Sequence, residues 1–297
     1  MKKEKSKLYY AGIFVFSLVL FSMEGPARRW ITLPSTSLAA FRAFIGAVFL
    51  GIVIAVMKKS AFAGLTKKQL IVLAVSGVAL GVNWALLFEA FNHTTIACAT
   101  LCSYMEPVFV IIASVPILKE KLTLRKTLCC LCAVFGLILA CDIMGERLGE
   151  GDIKGILFGL GSGLLYAAAV ILNKIAGKTD AMAKTFIQLA AASAVLVPYS
   201  MITEWNEIVS MDLRSVLLTL VVGIFMTGFA YIFFFGGIDG LKAQTVALLS
   251  YLDPVLAIIA AALIIGEVPS LLQIIGAVII ILSLSVGEFE LPEKKIK

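Results

Sequence analysis

The chain has 297 residues, 61% of them apolar and 15% charged, with a formal charge of +6 and a mean hydropathy of +1.03. Soluble domains have nearer half apolar and a quarter charged residues, and a water-soluble protein of this size has too little interior to hide so much apolar surface. An ordinary soluble enzyme, a nucleic-acid binder and a disordered chain are excluded, so the elements are read with lipid as the solvent.

Apolar stretches near the ~20 residues that a membrane helix needs fall at 8–30, 38–57, 69–91, 95–118, 123–141, 153–173, 182–202, 213–236, 242–265 and 270–287. They do not alternate as barrel strands do, which leaves a helical bundle. The opening MKKEKSK before an apolar run has the shape of a secretory leader. Nine more spans follow, however, and Glu24, Gly25 and Pro26 make no small-residue cleavage site, so the first run is read as a retained span. With the N-terminus inside, the inner segments hold 19 of the 25 basic residues, from Lys2, Lys3, Lys5 and Lys7, through Lys58 and Lys59, to Lys294, Lys295 and Lys297. Arg147, Lys154 and Arg214 fall outside. The bias repeats from loop to loop and predicts cytoplasmic termini at both ends.

One segment occurs twice. Residues 101–109 read LCSYMEPVF and residues 248–256 read LLSYLDPVL, at an offset of 147. The same offset carries Glu120 of LKEKL to Glu267 of IGEVP and Phe88 to Phe235. Matching an acid–Pro pair, a Tyr and a loop Glu in one register is not expected of two unrelated Leu-rich helices. Spans four and nine are therefore equivalent, and an odd repeat of five helices enters the membrane upside down in its second copy. The expected fold is an all-α integral membrane protein of ten transmembrane helices in two inverted five-helix repeats, 1–147 and 148–297. Inverted repeats are typical of secondary transporters, with the site between the halves.

The paired SY-[ML]-[ED]-P-V segments, the loop glutamates of ILKEKLTLRK and IIGEVPSLLQIIGAVIIIL, and Ala40-Phe41-Arg42 early in the second span resemble the EamA branch of the drug/metabolite transporter superfamily over nearly the whole chain. The resemblance implies ten helices, both ends cytoplasmic, and export of amino acids, amines or other small metabolites. Where that family often has a Trp-Gly-Ser/Asn-type stretch in its first helix, this chain has Phe21-Ser22-Met23-Glu24-Gly25-Pro26. The departure falls on a helix that borders the family's pathway, so the substrate is not carried over.

Ionisable residues within spans are costly and are functional candidates by default. Glu106 lies roughly 16 Å into the fourth span at 1.5 Å per residue, and Asp253 lies at similar depth in the ninth. Each precedes a proline, which removes a backbone hydrogen bond and frees a carbonyl. Such a carboxylate suits a proton, a cation or an ammonium group, or else it braces the kink. Glu24 and Arg42 agree in depth to about one helical turn and are expected to pair, either as a gate and a pair of counter-charges for a zwitterion or as a lock between adjacent helices. Gly25-Pro26 predicts a bend just after Glu24. Asn83, Trp84 and Glu89 sit toward the outer end of span three, with Trp84 suited to stacking on a cation or to an interfacial belt. Tyr166 and Gln188 lie at cavity-compatible depths. Tyr104 and Tyr251 point about 200° away from the acids around an ideal helix, which predicts packing for both and leaves Tyr251 a weak site candidate.

His93 reads as a residue of a solvated outer turn or, alternatively, as a proton relay. Gly155, Gly159 and Gly163 read as a close helix contact, with a dimer face as the alternative. Cys98, Cys102, Cys129, Cys130, Cys132 and Cys141 form no zinc pattern and read as packing residues. Phosphate loops, nucleophile elbows and an ATPase domain are absent from the sequence, so no cofactor or metal is expected and energy is expected from gradients or exchange. The expected activity is secondary transport of a small polar metabolite across the cytoplasmic membrane, as a monomer or weak homodimer and in the direction of export. The competing readings are an integral-membrane enzyme and a channel.

Overall fold

The computed structural model describes residues 7–57, 60–141 and 152–288. Lys2, Lys3, Lys5, Lys58, Lys59, Arg147, Lys294, Lys295 and Lys297, on which the charge bias partly rests, and the 147/148 boundary lie outside the described residues. The helices in chain order are α1 (Lys7–Ser22), α2 (Glu24–Arg28), α3 (Ser35–Met57), α4 (Lys67–His93), α5 (Ile96–Ser103), α6 (Glu106–Leu118), α7 (Leu124–Ala140) and α8 (Asp152–Ala176). They continue as α9 (Ala181–Thr203), α10 (Trp205–Val209), α11 (Leu213–Val221), a π-helical stretch Val222–Phe229, α12 (Ala230–Ile238), α13 (Ala243–Ser250), α14 (Leu252–Ile265) and α15 (Leu271–Glu288). No strand occurs among the described residues. Each of the ten apolar stretches is largely helical, and among the described residues eight helical units are long and apolar enough to cross a membrane: Lys7–Arg28, Ser35–Met57, Lys67–His93, Cys98–Leu118, Ile153–Ala176, Ala181–Thr203, Leu213–Ile238 and Ala243–Ile265. Leu271–Gly287 is a shorter apolar helix, and α7 has 17 residues.

Three breaks share one cause. A proline lacks the N–H that would bond the carbonyl four residues earlier, and its ring crowds that carbonyl. Four residues before Pro26, Pro107 and Pro254 stand Ser22, Ser103 and Ser250, the last residues of α1, α5 and α13. The first bend therefore falls at Met23, one residue before Glu24 rather than after it. Each break leaves an acid in the first turn of the next helix, Glu24, Glu106 and Asp253, where the positive end of the helix dipole favours a carboxylate.

Geometry recurs at the 147-residue offset. α5 and α13 span Ile96–Ser103 and Ala243–Ser250. α6 ends in left-handed Lys119 (φ 55°) and α14 in left-handed Gly266 (φ 74°). The next residues, Glu120 and Glu267, donate their backbone N–H to the carbonyls of Ser114 and Ala261.

Packing runs largely between elements before 142 and elements after 151. α4 lies against α8 and α9, α3 against α9, α7 against α15, and α1 against α12. The α7–α15 contact is backbone to backbone, since a side chain at Gly136 would meet the Gly276 carbonyl and one at Gly276 the Gly136 carbonyl. Gly155, Gly159 and Gly163 face Thr94, Cys102 and the Ser103 carbonyl, so this stripe seats α8 on α5 within the chain. His93 ends α4 rather than lying in a turn; still partly exposed, it stacks on Phe158 at 5.6 Å and meets Glu89 at 3.1 Å.

Candidate functional site

A cavity of about 920 Å³ lies between α1, α2, α3, α4, α5, α8, α12 and α14. Arg29, Ile96 and Glu267 are exposed at its mouth, and Arg29 pairs with Glu267 at 3.2 Å. From Ile96 the chain descends α5 to Glu106, about 15 Å at the helical rise, and from Asp253 it climbs α14 to Glu267, about 21 Å. The two segments therefore run in opposite directions along the cavity wall.

Of the sequence candidates, Glu24, Arg42, Asn83, Trp84, Glu106, Tyr166 and Asp253 line this cavity. Arg42 is buried and forms an ion pair with Glu24. The Trp84 ring covers its guanidinium at 4.4 Å from the ring centroid, a stacking that suits a weakly hydrated planar cation. Asn83 is held side-on, its amide donating to the backbone carbonyl and the hydroxyl of Ser162, both at 2.7 Å. The Tyr104 hydroxyl donates to Asp253 Oδ2 at 2.7 Å. Glu106 is 8% exposed, and its carboxylate has no hydrogen bond among the described residues. With Glu24 and Arg42 neutralising each other, the deep part of the cavity presents two carboxylates, walled by Tyr104, Tyr166 and Tyr231. A cation or ammonium group fits there, with the Arg42 guanidinium within the same cavity for an anionic group.

Three candidates lie elsewhere. Glu89 is partly exposed and bonded to Asn92 at 3.2 Å and to His93, one turn further along α4, while Trp84, Leu87, Phe88 and Phe91 of that helix line the cavity. Gln188 is fully buried between helices, bonded to Ser76 at 2.7 Å and to Asn173 at 2.9 Å and 3.1 Å. The close approach of α9 to Gly77 seals it away. Tyr251 is fully buried in the apolar core. Tyr104, expected to pack, instead lines the cavity, since the break after Ser103 ends the regular 100° rotation on which that expectation rested. Tyr231 was missed, although the 147-residue offset applied to Trp84 lands on it.

The opposite end of the bundle is closed by charges. Glu120 accepts the backbone N–H groups of Ala243 (2.8 Å) and Gln244 (3.2 Å), the first turn of α13. Lys174 donates to the carbonyls of Ile238 and Leu241, and fully buried Lys184 pairs with Asp239 at 2.5 Å. Burial pushes the Asp239 carboxyl above its usual range, and the Lys184 ammonium pulls it back. No cluster able to hold a metal ion occurs among the described residues.

Comparison with known proteins places the chain. The sequence model of the EamA-like transporter family matches residues 8–141 and again 153–286. The uncharacterized transporter YxxF of Bacillus subtilis is 25% identical over 271 residues, covering 90% of this chain and 85% of its own length. The mouse solute carrier family 35 member G1 is 27% identical over 95% of this chain and 79% of its own. The pseudopaline exporter CntI of Pseudomonas aeruginosa is 24% identical over 85% of each. One crystal structure superposes with a TM-score of 0.81 at 18% identity, covering 94% of this chain and 97% of the other, which speaks to the fold alone.

Proposed function

The chain belongs to the EamA-like transporter family, and from that premise we propose that this membrane transporter is a secondary carrier of a small polar metabolite, an amino acid, amine or related compound. It works by alternating access across the cytoplasmic membrane, in the direction of export, driven by protons or by exchange. The observation that carries the reading is the cavity itself. Within spanning helices it holds two carboxylates at broken-helix N-termini, aromatic walls, and one guanidinium stacked on Trp84. Intramembrane charges are kept only where they do work or are paired, and Glu106 has no hydrogen-bonded partner among the described residues. A substrate ammonium sits at Glu106 and Asp253, and a substrate carboxylate competes with Glu24 for Arg42.

The reading includes ten helices in two inverted repeats, 1–147 and 148–297, with both termini cytoplasmic. It is supported by the two family matches, by the antiparallel course of α5 and α14 along the cavity, and by the cytoplasmic bias of 19 of 25 basic residues. Export is supported by the name of one relative, the pseudopaline exporter. Proteoliposomes loaded with radiolabelled amino acids and amines test the proposal. Saturable flux that is lost in Glu106→Gln is the expected result. Unsaturable flux at channel rates, or flux unchanged when Glu106 and Asp253 are both neutralised, overturns it.

A further inference from the structure

Glu120 and Glu267 occupy the same place 147 residues apart, each following a left-handed residue at the end of a half-helix. The turn is kept even where it must be made by Lys119, the one non-glycine with positive φ among the described residues, a conformation in which the Cβ crowds the following carbonyl. The shared backbone geometry sets both glutamates at equivalent places in the turn. Glu120 binds the first two N–H groups of α13, at Ala243 and Gln244. The same offset pairs Glu267 with the start of α5, at Ile96 and residue 97. Here the contact is not made. Glu267 and Ile96 are both exposed and line the same cavity, and Glu267 pairs with exposed Arg29 instead. Thr95 already satisfies the N–H of Cys98 in that turn, so the two preceding positions are those that Glu267 would take.

We propose that Glu120 and Glu267 are reciprocal latches. Each closes one end of the cavity by capping the half-helix of the other repeat, and the two caps alternate as the carrier turns over. The structure holds the state in which the Glu120 latch is shut and the Glu267 latch is parked on Arg29. Closing the mouth breaks the Arg29 pair, seats Glu267 on α5 and draws α14 toward α5, while α13 comes away from Glu120. Carboxylate capping of a helix start combines a charge-assisted bond with the helix dipole. It is available to only one end at a time if the halves rock as rigid units. The inference rests on the alternating-access reading above.

Distance measurements between spin labels at exposed positions 92 and 268 test it without any ligand, in a chain whose six native cysteines are replaced and whose flux is retained. Relative to the parent, Glu267→Gln is expected to deplete the short-distance, mouth-closed population by about tenfold, the effect of losing one charge-assisted capping interaction. Arg29→Gln, which frees Glu267, is expected to enrich that population, and Glu120→Gln, which weakens the opposite latch, to enrich it as well. If the Arg29–Glu267 pair were only a surface ion pair, Glu267→Gln and Arg29→Gln would move the distribution in the same direction or not at all. Either outcome overturns the latch, as does a Glu120→Gln variant that leaves the distances unchanged. Loss of the transporter reading shows separately, as absence of flux in the parent protein.

Discussion

The segments α5–α6 and α13–α14 have the same first-helix length, the same break after a serine and the same left-handed exit, yet their side chains have parted ways. Tyr104 and Tyr251 hold one sequence position. The first reaches across the cavity to Asp253, whereas the second is sealed in the core and leaves Glu106 without a hydroxyl partner. Ser37 and Lys184 hold another shared position. Ser37 offers its hydroxyl and N–H to Glu204, and Lys184 carries a full charge to Asp239. A backbone geometry that recurs at the 147-residue offset sets where these breaks and acids fall, and a few differing residues decide which acid is held and which end is locked.

The largest expected effect comes from the buried charge. Lys184→Met should cost about 3–5 kcal/mol of stability, because Asp239 is left without its partner, and thermal unfolding in detergent reads the loss. Its counterpart, Ser37→Ala, loses one hydroxyl bond to Glu204 and keeps the backbone one, and should cost only about 1–2 kcal/mol; equal losses would erase the difference between the two ends. Next come the acids. Glu106→Gln and Asp253→Asn should each lower flux by roughly 10- to 100-fold, the range for a lost bond to a charged group. A variant at one position with wild-type flux would assign the cargo to the other acid alone. Smallest is the tyrosine pair. Tyr104→Phe should raise the transport KM by about fivefold, as for one hydrogen bond of ~1 kcal/mol, while Tyr251→Phe leaves it unchanged. Equal effects from the two would make the tyrosines packing residues after all.

Much of this was legible in the sequence because a span is a local property. The run read at 38–57 is α3 at Ser35–Met57, and the run at 182–202 is α9 at Ala181–Thr203. Glu106, Asp253 and the Glu24–Arg42 pair were legible because lipid makes an isolated charge conspicuous. The aim of a side chain was not legible where it depends on a neighbour. Gln188 lies at the right depth for the cavity but on the face that α4 covers at Gly77. The rotation rule failed at Tyr104 because it assumes a continuous helix, and the Pro107 that interrupts the helix was in view. Pro116 and Pro198 stay inside α6 and α9, so a proline by itself does not announce a break.

The polar seam of α4 has a consequence for how the protein is made. Ser76 bonds to the Ala169 carbonyl, Asn173 and Gln188, and Asn83 bonds to Ser162; every one of these partners is translated later. At ~5–20 residues per second, α4 spends on the order of several seconds in the bilayer or beside the insertion machinery before they exist. The first half therefore reaches the membrane with polar side chains whose partners in the folded chain lie in the second half. A fragment ending near residue 141 should linger with insertion factors or be degraded, and supplying residues 152–288 as a separate polypeptide should rescue it.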